Sequence, residues 1–291
     1  MSVASGYKNL SQSEEYRSFR NKVPLQKICV DNTDDKLWYV YDTGPKSVRS
    51  PLLCLAGASG TSDLFYLQLQ SLSAVGIRVI AAGYPGYSTV LEWCQGFRMM
   101  LDTLDVDTPH ILGVSLGGFL AQKFTEYTRQ CPRVASLLLC HSYCDTADCC
   151  SAMPHSLNVV LPSASLRTTL AELDHHFCLD HSTVPCYNFA VEQLHKLSSA
   201  MLCSRIALSR DTSFVQPHNV KVPVTLLDAF NACDVRERAK SSLQKSYPSA
   251  RLAYFKTKDT LPYLTQQLQF DVFVRVHLQE FTGTVHDPFG S

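Results

Sequence analysis

Three absences narrow the reading of this chain before any motif is considered. No stretch of eighteen apolar residues occurs in its 291 positions, and the opening segment from Met1 to Arg20 is polar and charged without an apolar centre. The expectation is therefore a protein with neither a membrane-spanning helix nor a secretory leader. Net charge is absent too: 26 lysines and arginines balance 26 aspartates and glutamates, so no field of the whole molecule would attract nucleic acid or an anionic membrane. Finally, the 12 cysteines include no paired C-x-x-C, the spacing that a zinc site would call for. Cys54 and Cys140 lie in apolar strand-like runs, and Cys94, Cys131 and Cys203 lie in or beside helical patterns, where a thiol packs as a small hydrophobe. Only Cys144, Cys149 and Cys150, near His141, are clustered. The expectation is free thiols in a soluble cytoplasmic protein, with no metal and no cofactor.

What is present is enough apolar content, 45%, for a substantial core in one large α/β domain. Residues 1–22 read as a mobile arm ahead of a domain over 23–291. Pro24 to Val30 and Lys36 to Asp42 read as an antiparallel edge hairpin. The continuous apolar run Leu52 to Leu55 suits a strand buried on both faces. Strands and helices then alternate: Asp63 to Val75 as helix, Ile77 to Ala82 as strand, and Val90, Cys94, Phe97, Leu101 and Leu104 on one helical face. This repeat predicts a mostly parallel sheet of about eight strands with helices on both faces. Between about 145 and 215 the alternation stops, and the Leu-rich and His-rich stretches read as a helical cap insertion. Val224 to Leu227, a helix from Val235 to Ser246, a strand from Leu252 to Phe255 and a closing helix from Pro262 to Phe281 complete the chain.

The stretch that organises the rest is Gly113-Val114-Ser115-Leu116-Gly117-Gly118. It follows an apolar strand and opens a helical pattern carrying Phe119, Leu120, Phe124 and Tyr127, which is the context of a nucleophile elbow. Glycines at 113, 117 and 118 let the backbone turn sharply and leave Ser115 exposed on the turn.

The elbow, the earlier Leu55-Ala56-Gly57-Ala58-Ser59-Gly60 and Tyr84-Pro85-Gly86-Tyr87 fall in the order of the α/β-hydrolase superfamily, which the chain resembles. Within it the chain is similar to the maspardin family, through Tyr41-Asp42-Thr43-Gly44-Pro45, the run from Ser115 to Phe124, Val222-Pro223-Val224-Thr225 and Phe255 to Leu264. The resemblance implies an α/β-hydrolase fold with oxyanion donors at Leu116 and Ala58. It also implies an acid after the seventh strand, for which Asp228 and Asp234 are the two candidates. The superfamily's base is a histidine in the loop after the last strand. That loop reads Thr257-Lys258-Asp259-Thr260-Leu261-Pro262, without histidine, and Thr260 stands at the matching position.

No other histidine fits that loop. His277 lies about fifteen residues into the last helix, roughly 22 Å along its axis, and His110 begins the strand that ends at Ser115. His141, at the end of the strand after the elbow, is the best substitute, on the sheet edge where open α/β sheets bind ligands. His155, His175, His176, His181 and His195 of the cap are read as solvent-facing.

Two functions follow as expectations. The first, implied by the maspardin resemblance, is a non-catalytic adaptor that binds a protein partner, such as a receptor's cytoplasmic tail, and damps its signalling. On that reading it works in the cytosol and at endosomal or trans-Golgi membranes. The second is a serine esterase, peptidase or thioesterase that uses Ser115 with His141 as a relocated base. The sequence assigns no oligomeric state.

Overall fold

The computed structural model describes residues 9–31, 36–147, 163–174, 183–229, 234–256 and 260–289. The apolar runs form the middle of one eight-stranded sheet: β1 (Gln26–Cys29), β2 (Leu37–Thr43), β3 (Leu52–Leu55), β4 (Val79–Gly83), β5 (His110–Val114), β6 (Ser136–Cys140), β7 (Val224–Ala229) and β8 (Arg251–Phe255). Their order is β1-β2-β4-β3-β5-β6-β7-β8. The edge pair β1 and β2 is antiparallel, β2 meets β4 antiparallel, and every later pair is parallel.

Alternation along the central strands divides the core into two layers. Leu53, Leu55, Ile111, Leu137 and Leu139 face one cluster, and Leu52, Cys54, Leu112, Val114, Leu138 and Cys140 face the other. The first is covered by α3 (Val90–Thr103), through Trp93 and Phe97, and by α4 (Leu116–Tyr127), through Phe119 and Phe124. The second is covered by α1 (Glu14–Lys22), α2 (Tyr66–Ser71) and, after the short α9 (Pro262–Thr265), by α10 (Gln267–Gln279). Helices on both faces explain why strands β3 to β6 are buried along their whole length.

From Asn9 onward the expected mobile arm is instead an ordered part of the domain. Ser13 caps α1 by accepting from the Tyr16 N–H, and Glu14 and Glu15 occupy its first turn, where negative charge is favourable. Leu10, Tyr16 and Phe19 are buried in the second core layer. The Tyr16 hydroxyl donates to Asp63 at 2.5 Å, and the Arg20 guanidinium bonds the same carboxylate at 2.8 Å. The polar composition of the segment concealed a three-residue apolar spacing. Two long helical expectations are also subdivided: residues 62–75 form two 3-10 turns around α2, and the closing helix breaks at Gln266.

Between β6 and β7 the insertion carries α5 (Ser163–Asp174), α6 (Val184–His195) and α7 (Ser199–Ser209), followed by α8 (Asp234–Ser246) after β7. It is closed at its base by a bridge between Asp145 and Phe214 and by the Val215 N–H donating to the Cys144 carbonyl at 2.8 Å. Helix α7 rests on the loops after β3 and β4, and α6 on the loop after β8. The insertion thus lies over the carboxyl edge of the sheet. His155, His175, His176 and His181 lie outside the described residues, and His195 is exposed.

Candidate active site

Ser115 sits between β5 and α4 with φ 48° and ψ −118°. A non-glycine residue at positive φ costs on the order of 1–3 kcal/mol and is held only by its surroundings. Here the Ser115 N–H donates to the Cys140 carbonyl at 2.9 Å, while its own carbonyl accepts from the Gly118 N–H and the Ser142 hydroxyl. The neighbouring glycines are required by contact. A side chain at Gly117 would begin 2.5 Å from the Leu55 carbonyl oxygen and 2.6 Å from that of Ala56, and one at Gly113 would begin 2.5 Å from the Gly118 nitrogen. At Gly118 it would collide with the Ser142 hydroxyl.

Strand register then brings together what the sequence offered separately. Val114 pairs with Cys140, and Cys140 with Leu227, so Ser115, His141 and Asp228 stand in one row across three adjacent strand ends. His141 also has positive φ, 47°, and its N–H donates to the Leu227 carbonyl at 3.1 Å. Its Nδ1 lies 3.0 Å from Asp228 Oδ1, with only 5% and 10% of the two side chains exposed. The Ala229 N–H donates to the same carboxylate oxygen at 2.7 Å. Burial pushes the Asp228 carboxyl upward, but its hydrogen bond to His141, the charge of that imidazole, the Ala229 N–H and Lys240 together hold it below the ordinary carboxylate range. An ionised Asp228 can only accept, so Nδ1 donates to it, and in the neutral ring that tautomer leaves the lone pair on Nε2. His141 Nε2 is buried and has no hydrogen-bond partner among the described residues. A buried nitrogen in that state costs about 1–3 kcal/mol.

The position where the superfamily carries its histidine is filled differently. Thr260 is buried, and its hydroxyl lies 3.2 Å from that of Tyr187 on α6. Residues 257–259 lie outside the described residues. Asp234, the other candidate acid, is the first residue of α8, and its side chain is likewise outside them. His110, His277 and His286 gather at the opposite, amino edge of the sheet, where Ser136 Oγ lies 2.7 Å from a ring nitrogen of both His110 and His277. The His286 carbonyl lies 2.8 Å from His110 Nε2.

Of the two candidate oxyanion donors, Leu116 opens α4, where the first N–H groups have no intrahelical acceptor. Ala58 lies in a turn closed by the Gly60 N–H donating to the Gly57 carbonyl at 3.2 Å. Sequence reasoning missed Arg205 on α7, whose guanidinium donates to the Gly57 and Tyr84 carbonyls at 3.3 Å each and lies 3.3 Å over the Tyr84 ring. It is 1% exposed; no motif marks such a residue, because its partners are backbone oxygens 121 and 148 positions away. No disulfide joins the eight described cysteines among the described residues, but Cys131 and Cys203 are exposed rather than packed as small hydrophobes. Cys149 and Cys150 lie outside the described residues. No group of His, Cys, Asp and Glu suited to a metal occurs among the described residues, and none of their helices is long and apolar enough to cross a membrane.

Comparison with solved structures reproduces the architecture. An esterase from Rhodococcus sp. superposes with a TM-score of 0.68 at 16% identity, over 87% of this chain and 98% of that one. A bromoperoxidase from Bacillus anthracis superposes at 0.67 and 15% identity, over 88% of this chain and 100% of that one. Such distant likeness establishes the α/β-hydrolase fold and leaves the chemistry open. No family model matches the chain. Sequence relatives are much nearer: human maspardin is 41% identical over 273 residues, 94% of this chain and 89% of that protein. Maspardin of Danio rerio is 40% identical over the same length, 94% of this chain and 88% of its own. By that similarity along nearly its whole length, the chain belongs to the maspardin family of α/β-hydrolase-fold proteins.

Proposed function

We propose that this protein is a serine hydrolase of acyl compounds in which His141, rather than a histidine after the last strand, takes the proton of Ser115. The observation that carries the reading is the pair His141 Nδ1 and Asp228 Oδ1 at 3.0 Å, one strand away from the elbow serine, with the opposite ring nitrogen buried and unbonded among the described residues. In this mechanism Ser115 Oγ attacks the acyl carbon and its proton passes to His141 Nε2. Asp228 holds the ring in the tautomer that can receive it. The N–H groups of Leu116 and Ala58 face the developing oxyanion, and His141 returns the proton to the leaving group. Water then releases the acyl group by the same steps. The substrate class is an ester or thioester small enough to enter under the cap. Turnover of short-chain p-nitrophenyl esters and acyl thioesters tests it. The reading predicts that Ser115→Ala abolishes turnover and that His141→Ala lowers kcat by about 10²–10⁴-fold. Equal turnover in wild type and His141→Ala would refute it.

A second reading keeps the family resemblance foremost: a non-catalytic adaptor that binds a protein segment, such as a receptor's cytoplasmic tail, in the cytosol or at endosomal and trans-Golgi membranes. It is favoured by Thr260, which occupies the usual base position and is joined to Tyr187. On this reading Ser115→Ala leaves partner binding intact and no ester is turned over by the wild type.

A further inference from the structure

The loop that would supply the second oxyanion donor is held from the cap, and the residue that holds it is a buried cation. Helix α7 is docked by two neighbouring side chains with separate targets. Ser204 accepts from the Tyr87 N–H and donates to the Tyr87 carbonyl, both at 2.7 Å. Arg205 reaches further: one Nη donates to the Tyr84 carbonyl and the other to the Gly57 carbonyl, with the guanidinium stacked on the Tyr84 ring. A guanidinium stays charged in any protein environment, and its rigid fork fixes two acceptors at once.

The consequence lies in the peptide unit between Gly57 and Ala58. The peptide bond is planar and trans, so its C=O and N–H point in opposite directions. The Gly57 oxygen is drawn by two donors, Arg205 Nη1 at 3.3 Å and the Gly60 N–H at 3.2 Å. That fixes the plane and aims the Ala58 N–H away from α7. The segment just before it abuts the elbow, since the Leu55 and Ala56 carbonyl oxygens lie within 2.6 Å of where a Gly117 side chain would begin.

We infer that Arg205 is a positioning residue for the oxyanion loop: it sets the Gly57–Ala58 peptide so that the Ala58 N–H serves the reaction at Ser115, and it makes that donor conditional on the cap being docked. The inference rests on the hydrolase reading for its catalytic consequence, but its structural half stands on the peptide plane alone.

The test uses the full chain with Arg205→Ala, Arg205→Lys and, as a control, Ser204→Ala, which removes the separate contact of α7 to Tyr87 while leaving Arg205 and its hold on Gly57 in place. Two measurements are made on each: ester turnover, and amide hydrogen exchange across residues 57–60. Loss of one oxyanion donor costs about 10²–10³-fold in kcat, so Arg205→Ala should lose about that much with little change in KM. Added guanidinium ion should restore part of it. Arg205→Lys should remain impaired, Ser204→Ala should stay within a few-fold of wild type, and exchange at Ala58 should rise only in the Arg205 variants. Unchanged Ala58 exchange in Arg205→Ala overturns the inference, as does an equal loss of turnover in Ser204→Ala. If the wild type turns over no ester, the hydrolase reading fails. Amide exchange then decides the assignment of Arg205 by itself.

Discussion

Lowering the pH should destabilise this protein through two imidazoles far from the elbow. His110 and His277 are 0% and 2% exposed and share Ser136 as a partner, and His277 Nδ1 also lies 2.7 Å from the Thr225 hydroxyl. Burial lowers the His110 value from the ordinary 6.5 to about 4, against the opposing effect of its hydrogen bond to the His286 carbonyl. Burial, then the nearby His110 and Arg251, lowers His277 to about 3. Both rings are therefore neutral in the folded state and protonate readily only when unfolded. The associated stability is intact above pH 6.5 and is lost as pH falls toward 4 and 3, at about 1.4 kcal/mol per pH unit for each ring. Between pH 6.5 and 5 the pair should cost about 3 kcal/mol, a large part of a typical folding free energy. Urea unfolding followed by tryptophan fluorescence at a series of pH values measures this directly. His277→Gln removes one titrating ring and should roughly halve the slope between pH 6 and 5, despite a lower stability at pH 7. A variant slope equal to that of the wild type would refute the argument.

Other predictions follow from packing. Phe19→Ala should cost about 3–5 kcal/mol in urea or thermal unfolding, because the ring is buried under α2; a near-neutral result would mean that α1 does not belong to the core. Thr260→His should add no ester turnover and should lower stability by about 1–3 kcal/mol, since that buried position is already packed against Tyr187; a gain in activity would show room for an imidazole there. Thiol titration should modify Cys29, Cys131 and Cys203 rapidly in the folded protein. Cys94, whose thiol burial pushes up to about 12, should react only on unfolding.

Most of the scaffold was legible in the sequence because the central strands are apolar apart from His110 and Ser136 at the starts of β5 and β6, and α3 repeats its core residues at 4, 3, 4, 3 spacing. The elbow was legible because its geometry admits only glycine at 113 and 117. The amino-terminal helix was not, since Leu10, Tyr16 and Phe19 are isolated among charged residues and their partners, Asp63 and Tyr66, come from another element. The link between His141 and Asp228 depends on the register of β6 against β7, which neither strand reveals alone. A signal was present in hindsight: each residue directly follows the last apolar member of its strand run, so parallel pairing in register sets them side by side. Tyr187 and Arg205 had no such signal, because their roles arise where the cap meets loops far away in the chain.

The central claim, that His141 activates Ser115, is tested most directly by the rate at which a fluorophosphonate modifies the protein, with the adduct located by peptide mass spectrometry. The account predicts a single adduct on Ser115 of the wild type, formed at least about 10²-fold more slowly in His141→Ala and also slowed in Asp228→Asn, with the fold of each variant intact. An unmodified wild type, or an adduct on Ser115 that forms equally fast without His141, would contradict it.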